Sequence, residues 1–390
     1  MGRNRKKKNS AFATLILMLI GGVVGLFAGK YLGKMIASTS LTNSFGLDIA
    51  IFAIVTILVV YSQIIIHELG HMIFGLFTGY KFLSFRVGNI TLIRKENGYK
   101  LASFSFPGTA GQCIMSPERL DDDMPFILYN LGGGLFNLFA AAISLLFLNL
   151  FPNMHVILTI FLSETIFLGV FFAIINLFPL NFGISNDGYN IMTMIRNKKS
   201  RKYFFMQLKL MEYLTFDKRV RDIPNGLIEM PSDSELNNVM GVANAVLYCG
   251  KLMDEQRFDE AKEKIDYLLE SDFNIINIHR EVIRADRIYL ELISENPSME
   301  LVKELYDKDL KKMMKALKNN ISTPRFNYAV ELLYNENIEK AKLAISNFNK
   351  IKSKYPYAGE IESETELLEI AKNKYEETSI NNIREHNDIY

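Results

Sequence analysis

Two histidines four residues apart with a glutamate between them, in the run His67-Glu68-Leu69-Gly70-His71, are the side chains whose types and spacing point most directly to chemistry. On a helix of 3.6 residues per turn, positions i and i+4 stand nearly above one another, so both imidazoles reach one metal ion. Glu68 projects in an adjacent direction. This is the H-E-x-x-H arrangement, in which two neutral imidazoles bind zinc and the carboxylate takes a proton from water at the metal. The chain has five histidines in all. The motif follows Ile64-Ile65-Ile66 inside a long apolar run, where ionisable groups are costly and mark function. A pair of hydrogen-bonded core histidines is the plainer alternative, and that location weighs against it.

A catalytic zinc takes three protein ligands and leaves a fourth position to water, so a third ligand is expected. The other histidines are poorly placed: His155 lies at the outer end of an apolar run, and His279 and His386 lie in the polar half of the chain. The expected ligand is therefore a carboxylate. Two candidates remain, Glu164 inside an apolar run and Asp187 after it, where Pro179 breaks the helix and Gly183 and Gly188 permit an irregular turn.

These residues must be held by elements that the apolar pattern makes legible. Four stretches, near 11–33, 47–77, 125–151 and 154–178, are long enough to cross a hydrocarbon layer that needs about 20 apolar residues as helix. The first begins after Arg3, Arg5, Lys6, Lys7 and Lys8 and has no small-x-small cleavage site, so it reads as a retained transmembrane helix rather than a signal peptide. Only Phe151-Pro152-Asn153 joins the last two, which makes them antiparallel neighbours. Lys and Arg concentrate in the N-terminus, in the loop from Lys81 to Arg119 and in Arg196 to Lys202, whereas the opposite loops carry only Lys34. Both termini are expected in the cytoplasm of a multi-pass cell-membrane protein.

Between the second and third spans, Phe82 to Ile93 and Tyr99 to Phe106 are rich in β-forming residues around Asn97-Gly98, and predict a hairpin at the membrane surface. After Ser200 apolar residues recur at helical spacing. Gly250 to Ala261 and Leu333 to Ala341 echo one another as turns of helical hairpins, suggestive of tetratricopeptide-like repeats without their full signature. The expected architecture is mainly α: a basic segment 1–10, a polytopic helical membrane domain 11–199 with the hairpin, and a cytoplasmic α-helical domain 200–390. A net charge of +1 gives no general attraction to nucleic acid, and Cys113 and Cys249, one in each half, predict two free buried thiols.

The pair of motifs resembles the site-2 protease family of intramembrane zinc metalloproteases over roughly residues 51–190. His67, Glu68 and His71 match the H-E-x-x-H helix, Asn176, Pro179, Asp187 and Gly188 match the later N-x-x-P…D-G segment, and Asn130 to Asn137 with its three glycines is similar to the family's third core span. The resemblance implies that Asp187 completes a Zn2+ site with His67 and His71, that Glu68 is general base and then acid, and that Asn176 contacts substrate, with Asn137 a second candidate. It also implies a membrane protein or peptide as substrate, cleaved at the lipid bilayer. The resemblance does not extend to residues 200–390, which are separately expected to offer a surface for a cytoplasmic protein partner. A competing expectation is a non-proteolytic membrane receptor or scaffold with a structural metal site and a protein-binding helical tail. A transporter with a mid-membrane metal site is a third, less attractive because four spans show no internal repeat.

Overall fold

The computed structural model describes residues 44–104, 109–180, 185–273 and 275–387, with isolated positions between 21 and 42. The expected basic segment 1–10 and span 11–33 lie outside the described residues apart from a few of those positions. The described chain forms two compact units, Met1–Gly88 with Ala110–Arg201 and Asn89–Thr109 with Lys202–Tyr390.

Three helices organise the first unit: α1 (Phe45–Phe77), α2 (Ile127–Leu150) and α3 (Val156–Leu177), each long and apolar enough to cross a membrane. At 1.5 Å per residue the 33 residues of α1 extend about 50 Å, more than a hydrocarbon core of roughly 30 Å. None of the three contains a Lys or Arg. Their burial pattern is inverted relative to a water-soluble bundle. Gln63, His67, Glu68, His71, Asn130, Asn137, Ser144 and Glu164 are buried, whereas Ile57, Leu58, Ile65, Phe139, Leu145 and Leu146 face outward. Such a surface suits lipid, because each backbone group is satisfied within its own helix and the polar side chains find partners only inside.

Close backbone approach holds α1 against α2. A Cβ added to Gly70 would lie 2.2 Å from the Gly132 carbonyl oxygen, and one added to Gly132 would lie 2.4 Å from that of Gly70. Only paired glycines tolerate this crossing. Helix α1 ends where the Thr78 hydroxyl donates to the Phe74 carbonyl at 2.7 Å and Gly79, at φ +87°, turns the chain into a strand.

That strand, β1 (Tyr80–Val87), pairs antiparallel with β4 (Gly111–Pro117), from Tyr80 opposite Pro117 to Val87 opposite Gly111, with a register shift between Phe82 and Ser84. Tyr129 of α2 anchors the pair, stacking on Tyr80 at 4.7 Å and donating its hydroxyl to the Cys113 carbonyl at 3.0 Å. The second unit contains the hairpin of β2 (Ile90–Lys95) and β3 (Gly98–Ser103), joined through Glu96-Asn97. The expected hairpin is thus corrected at its first end, while Ser105 and Phe106 at its other end lie outside the described residues. Phe82 to Val87 belongs to β1 and pairs with β4, because Gly88 at φ +59° interrupts the run before Ile90.

Helices dominate the remainder of the second unit, from Val239–Asp254 and Phe258–Glu270 through Asn277–Ile293 to Ala358–Asn387. Apolar side chains such as Ile265, Ile288, Tyr289, Leu310 and Phe326 fill its interior. Buried charges there are paired: Arg325 Nε donates to Glu364 at 2.7 Å and its Nη2 to Asp286 at 3.0 Å, and Arg219 bridges Asp254 and Glu366. Cys113 and Cys249 are both buried and unbridged.

Candidate metal centre

His67 and His71 fall on the inner face of α1, and their Nε2 atoms lie 3.1 Å apart. The break after α3 delivers the third group. Asn186 caps the next helix, α4 (Asp187–Arg196), by accepting from the Tyr189 amide at 2.9 Å. The same side chain accepts from the Leu180 amide at 3.1 Å and donates to the carbonyls of Ile175 and Phe178, each at 2.6 Å, which ties the start of α4 to the frayed end of α3. Gly188 makes this approach possible, since a Cβ there would come within 2.1 Å of the Leu177 carbonyl oxygen. Asp187, between these two residues, places Oδ2 at 3.2 Å from His67 Nε2 and 3.4 Å from His71 Nε2.

Three potential ligand atoms thus converge with separations of 3.1, 3.2 and 3.4 Å. A tetrahedral ion with bonds of about 2.0–2.1 Å to nitrogen and oxygen requires ligand atoms about 3.3–3.4 Å apart, so the triangle is the right size for one ion. Among the described residues these three are the group of His, Cys, Asp or Glu side chains that can hold a metal.

The hydrogen-bond network fixes the ring tautomers. His71 Nδ1 lies 2.7 Å from the Tyr129 carbonyl oxygen, which only accepts, so Nδ1 carries the proton and Nε2 presents a lone pair. His67 Nδ1 lies 2.8 Å from Asn137 Oδ1. The Asn137 amide orientation follows from its own bonds, since Nδ2 donates to the backbone carbonyl of Gln63 at 3.0 Å and to its side-chain oxygen at 2.7 Å. His67 is therefore also protonated on Nδ1. Two lone pairs and a carboxylate oxygen face one another, and buried Asp187 Oδ2 has no hydrogen-bond donor. Such an arrangement calls for a cation.

Glu68 is buried beside this triangle without being part of it. The backbone of β4 closes over it, for a Cβ on Gly111 would meet Glu68 Oε1 at 2.5 Å. Gly133 makes similar room for His67, whose ring atoms would lie 2.4–2.6 Å from an added Cβ.

The other candidates fall elsewhere. Glu164 is buried on α3 and accepts at 3.0 Å from the hydroxyl of Thr56, which lies about three helical turns before His67 on α1. Asn176 donates to the Phe172 carbonyl of its own helix at 2.9 Å. Asn137 has its oxygen on His67 and its amide on Gln63, so it orients a ligand rather than offering free donors to a substrate. His155 caps α3 by accepting from the Ile157 amide at 3.3 Å.

Three contributors escaped the sequence reading. Asn186 was signalled by its place before Asp187-Gly188, as an N-cap residue at a helix start. Gln63 was signalled by its spacing, one helical turn before His67 in an apolar run. The Tyr129 carbonyl had no signal in the residue type, because any residue supplies one. Comparison of the chain with family models, with curated proteins and with solved structures finds no match in any of them.

Proposed function

We propose that this chain is an intramembrane zinc metalloprotease of the site-2 protease type, which hydrolyses peptide bonds of membrane-embedded or membrane-associated proteins or peptides. The observation that carries this reading is the convergence of His67, His71 and Asp187 at a size suited to one ion, inside three apolar helices and directly beside Glu68. A zinc ion held by these three residues would supply Lewis acidity to water and to the scissile carbonyl.

Glu68 takes the proton from the attacking water and later delivers it to the leaving amine. Its neighbour β4 gives it a defined relation to substrate. Gly111 begins β4 directly against the carboxylate, so a segment added alongside β4 as an extended strand would present its peptide bonds there. Asn137 and the Tyr129 carbonyl keep both imidazoles in the tautomer that leaves Nε2 free for metal. The bundle and the strand together exclude bulk water, which strengthens these interactions. The basic loops favour a cytoplasmic position for the strands and for the second unit.

The decisive test compares cells expressing the wild-type chain with cells expressing Glu68→Gln, scoring membrane peptides that accumulate and the zinc content of each purified protein. The expected result is equal zinc and a distinct set of uncleaved membrane proteins in the variant. Equal zinc with identical peptide profiles would overturn the protease reading and leave the scaffold, because a structural metal site has no use for Glu68.

A further inference from the structure

The second unit contains a half-open cleft of about 640 Å³ whose lining has an unusual composition. Five lysines face it: Lys311, Lys315 and Lys318 from the helix Lys308–Ala316 and the turn after it, and Lys350 and Lys354 from the end of the helix Ile338–Lys352 and beyond. No Asp, Glu or Arg lines it. Its other polar groups are neutral amides and hydroxyls, including those of asparagines, a serine and a threonine. None of the five lysines forms an ion pair with a carboxylate among the described residues, and Lys311 Nζ rests over the Tyr306 ring at 4.2 Å.

This concentration is not a by-product of composition, since 44 basic and 43 acidic residues leave the chain nearly neutral. Elsewhere in the same unit exposed lysines have neighbouring acids, as Lys342 has Glu339 and Lys372 has Glu369. Five like charges brought to one concavity repel one another, a cost that a bound anion removes. Compact lysine ammonium groups act as point charges toward phosphate, whereas planar carboxylate recognition favours arginine forks, which are absent here. The volume falls within the roughly 300–1,000 Å³ of small-molecule sites, too confined for a nucleic-acid duplex.

We propose that this cleft binds a small polyanion bearing two or more phosphate groups, either free in the cytoplasm or as the headgroup of a lipid. The site is separate from the metal centre, and the proposal holds whether or not the chain is a protease.

The test uses the full-length chain in detergent at about 0.15 M salt, where surface charge is largely screened. Inorganic tripolyphosphate is titrated by calorimetry against wild type, against the cleft triple Lys311→Gln/Lys315→Gln/Lys350→Gln, and against a control triple Lys312→Gln/Lys340→Gln/Lys352→Gln of equal charge. None of the control positions lines the cleft. The expected result is saturable binding, weakened about tenfold or more by the cleft triple and left within about twofold by the control. A parallel arm measures co-sedimentation with phosphatidylcholine vesicles with and without a lipid carrying a multiply phosphorylated headgroup. Loss in the cleft triple of vesicle binding alone assigns the lipid source, and loss of tripolyphosphate binding assigns the free one. Equal weakening by both triples, or no saturable binding in either arm, would overturn the proposal and leave a solvated cationic face.

Discussion

The two units bury polar groups by opposite rules. In the helical unit each buried arginine meets carboxylates, as Arg325 meets Asp286 and Glu364 and as Arg287 meets Asp266 and Glu291. In the apolar bundle the helices carry buried Glu68, Glu164, His67 and His71 but no Lys or Arg with which to neutralise them. Paired charge inside a soluble domain is structural and costs little net stability once formed. Ionisable groups inside an apolar bundle are far more costly, and it is their convergence at His67, His71 and Asp187 on which the proposed metal site rests.

Breaking each rule in turn separates the units. Asp187→Ala removes the only carboxylate from the ligand triangle, and metal analysis of the purified chain should show bound zinc lost on dialysis while the helical unit keeps its circular dichroism. Arg325→Met should do the reverse. It strands Asp286 and Glu364 without their counter-charge at a cost of about 3–5 kcal/mol, seen as a lower thermal midpoint with zinc retained. A smaller effect is expected from Asn137→Leu, which leaves the three ligands but frees the His67 ring. Metal affinity should fall about 10–100-fold in a chelator competition without loss of fold.

The smallest effect concerns pH. Burial and the nearby Glu364 raise Glu360 from its ordinary 4.5 to about 7, against a lowering by its Tyr355 hydrogen bond. Between those values the folded chain holds a proton that the unfolded chain has released, so stability falls as pH rises through that window. Solvent reaches part of this side chain, which keeps the change on the order of 1 kcal/mol. Glu360→Gln should flatten the pH dependence of the urea midpoint of the helical unit, and a slope equal to that of wild type would remove Glu360 as its source.

The contrast also explains what the sequence disclosed. His67, Glu68 and His71 are local, within five residues of one helix, and their spacing singled them out. Three of the four expected apolar spans were equally plain, because each is apolar along most of its length, whereas the first, 11–33, falls largely outside the described residues. Asp187 and Glu164 stood as rivals until Asp187 was seen beside the two histidines and Glu164 beside Thr56, since sequence gives the break at Pro179 but not where the chain returns. The pairing of β1 with β4 was missed because the partners lie far apart in the chain, beyond the hairpin that Asn97-Gly98 announces. The role of Asn137 depends on how α2 lies against α1, a tertiary fact decided by Gly70 and Gly132.

The β2–β3 hairpin carries a consequence for biosynthesis. It is encoded between two apolar helices, yet Lys95 Nζ donates to the carbonyls of Thr215 and Pro356, and Phe104 packs edge-on against Tyr355 at 5.5 Å. Lys95 and Pro356 are separated by 261 positions, which a ribosome at about 5–20 residues per second takes roughly 13–50 s to add. For that interval the hairpin waits without its lasting neighbours while the apolar helices on either side of it are already made. A chain cut short before Tyr355 would leave it waiting permanently, so deleting the tail damages a segment that precedes the second half of the bundle.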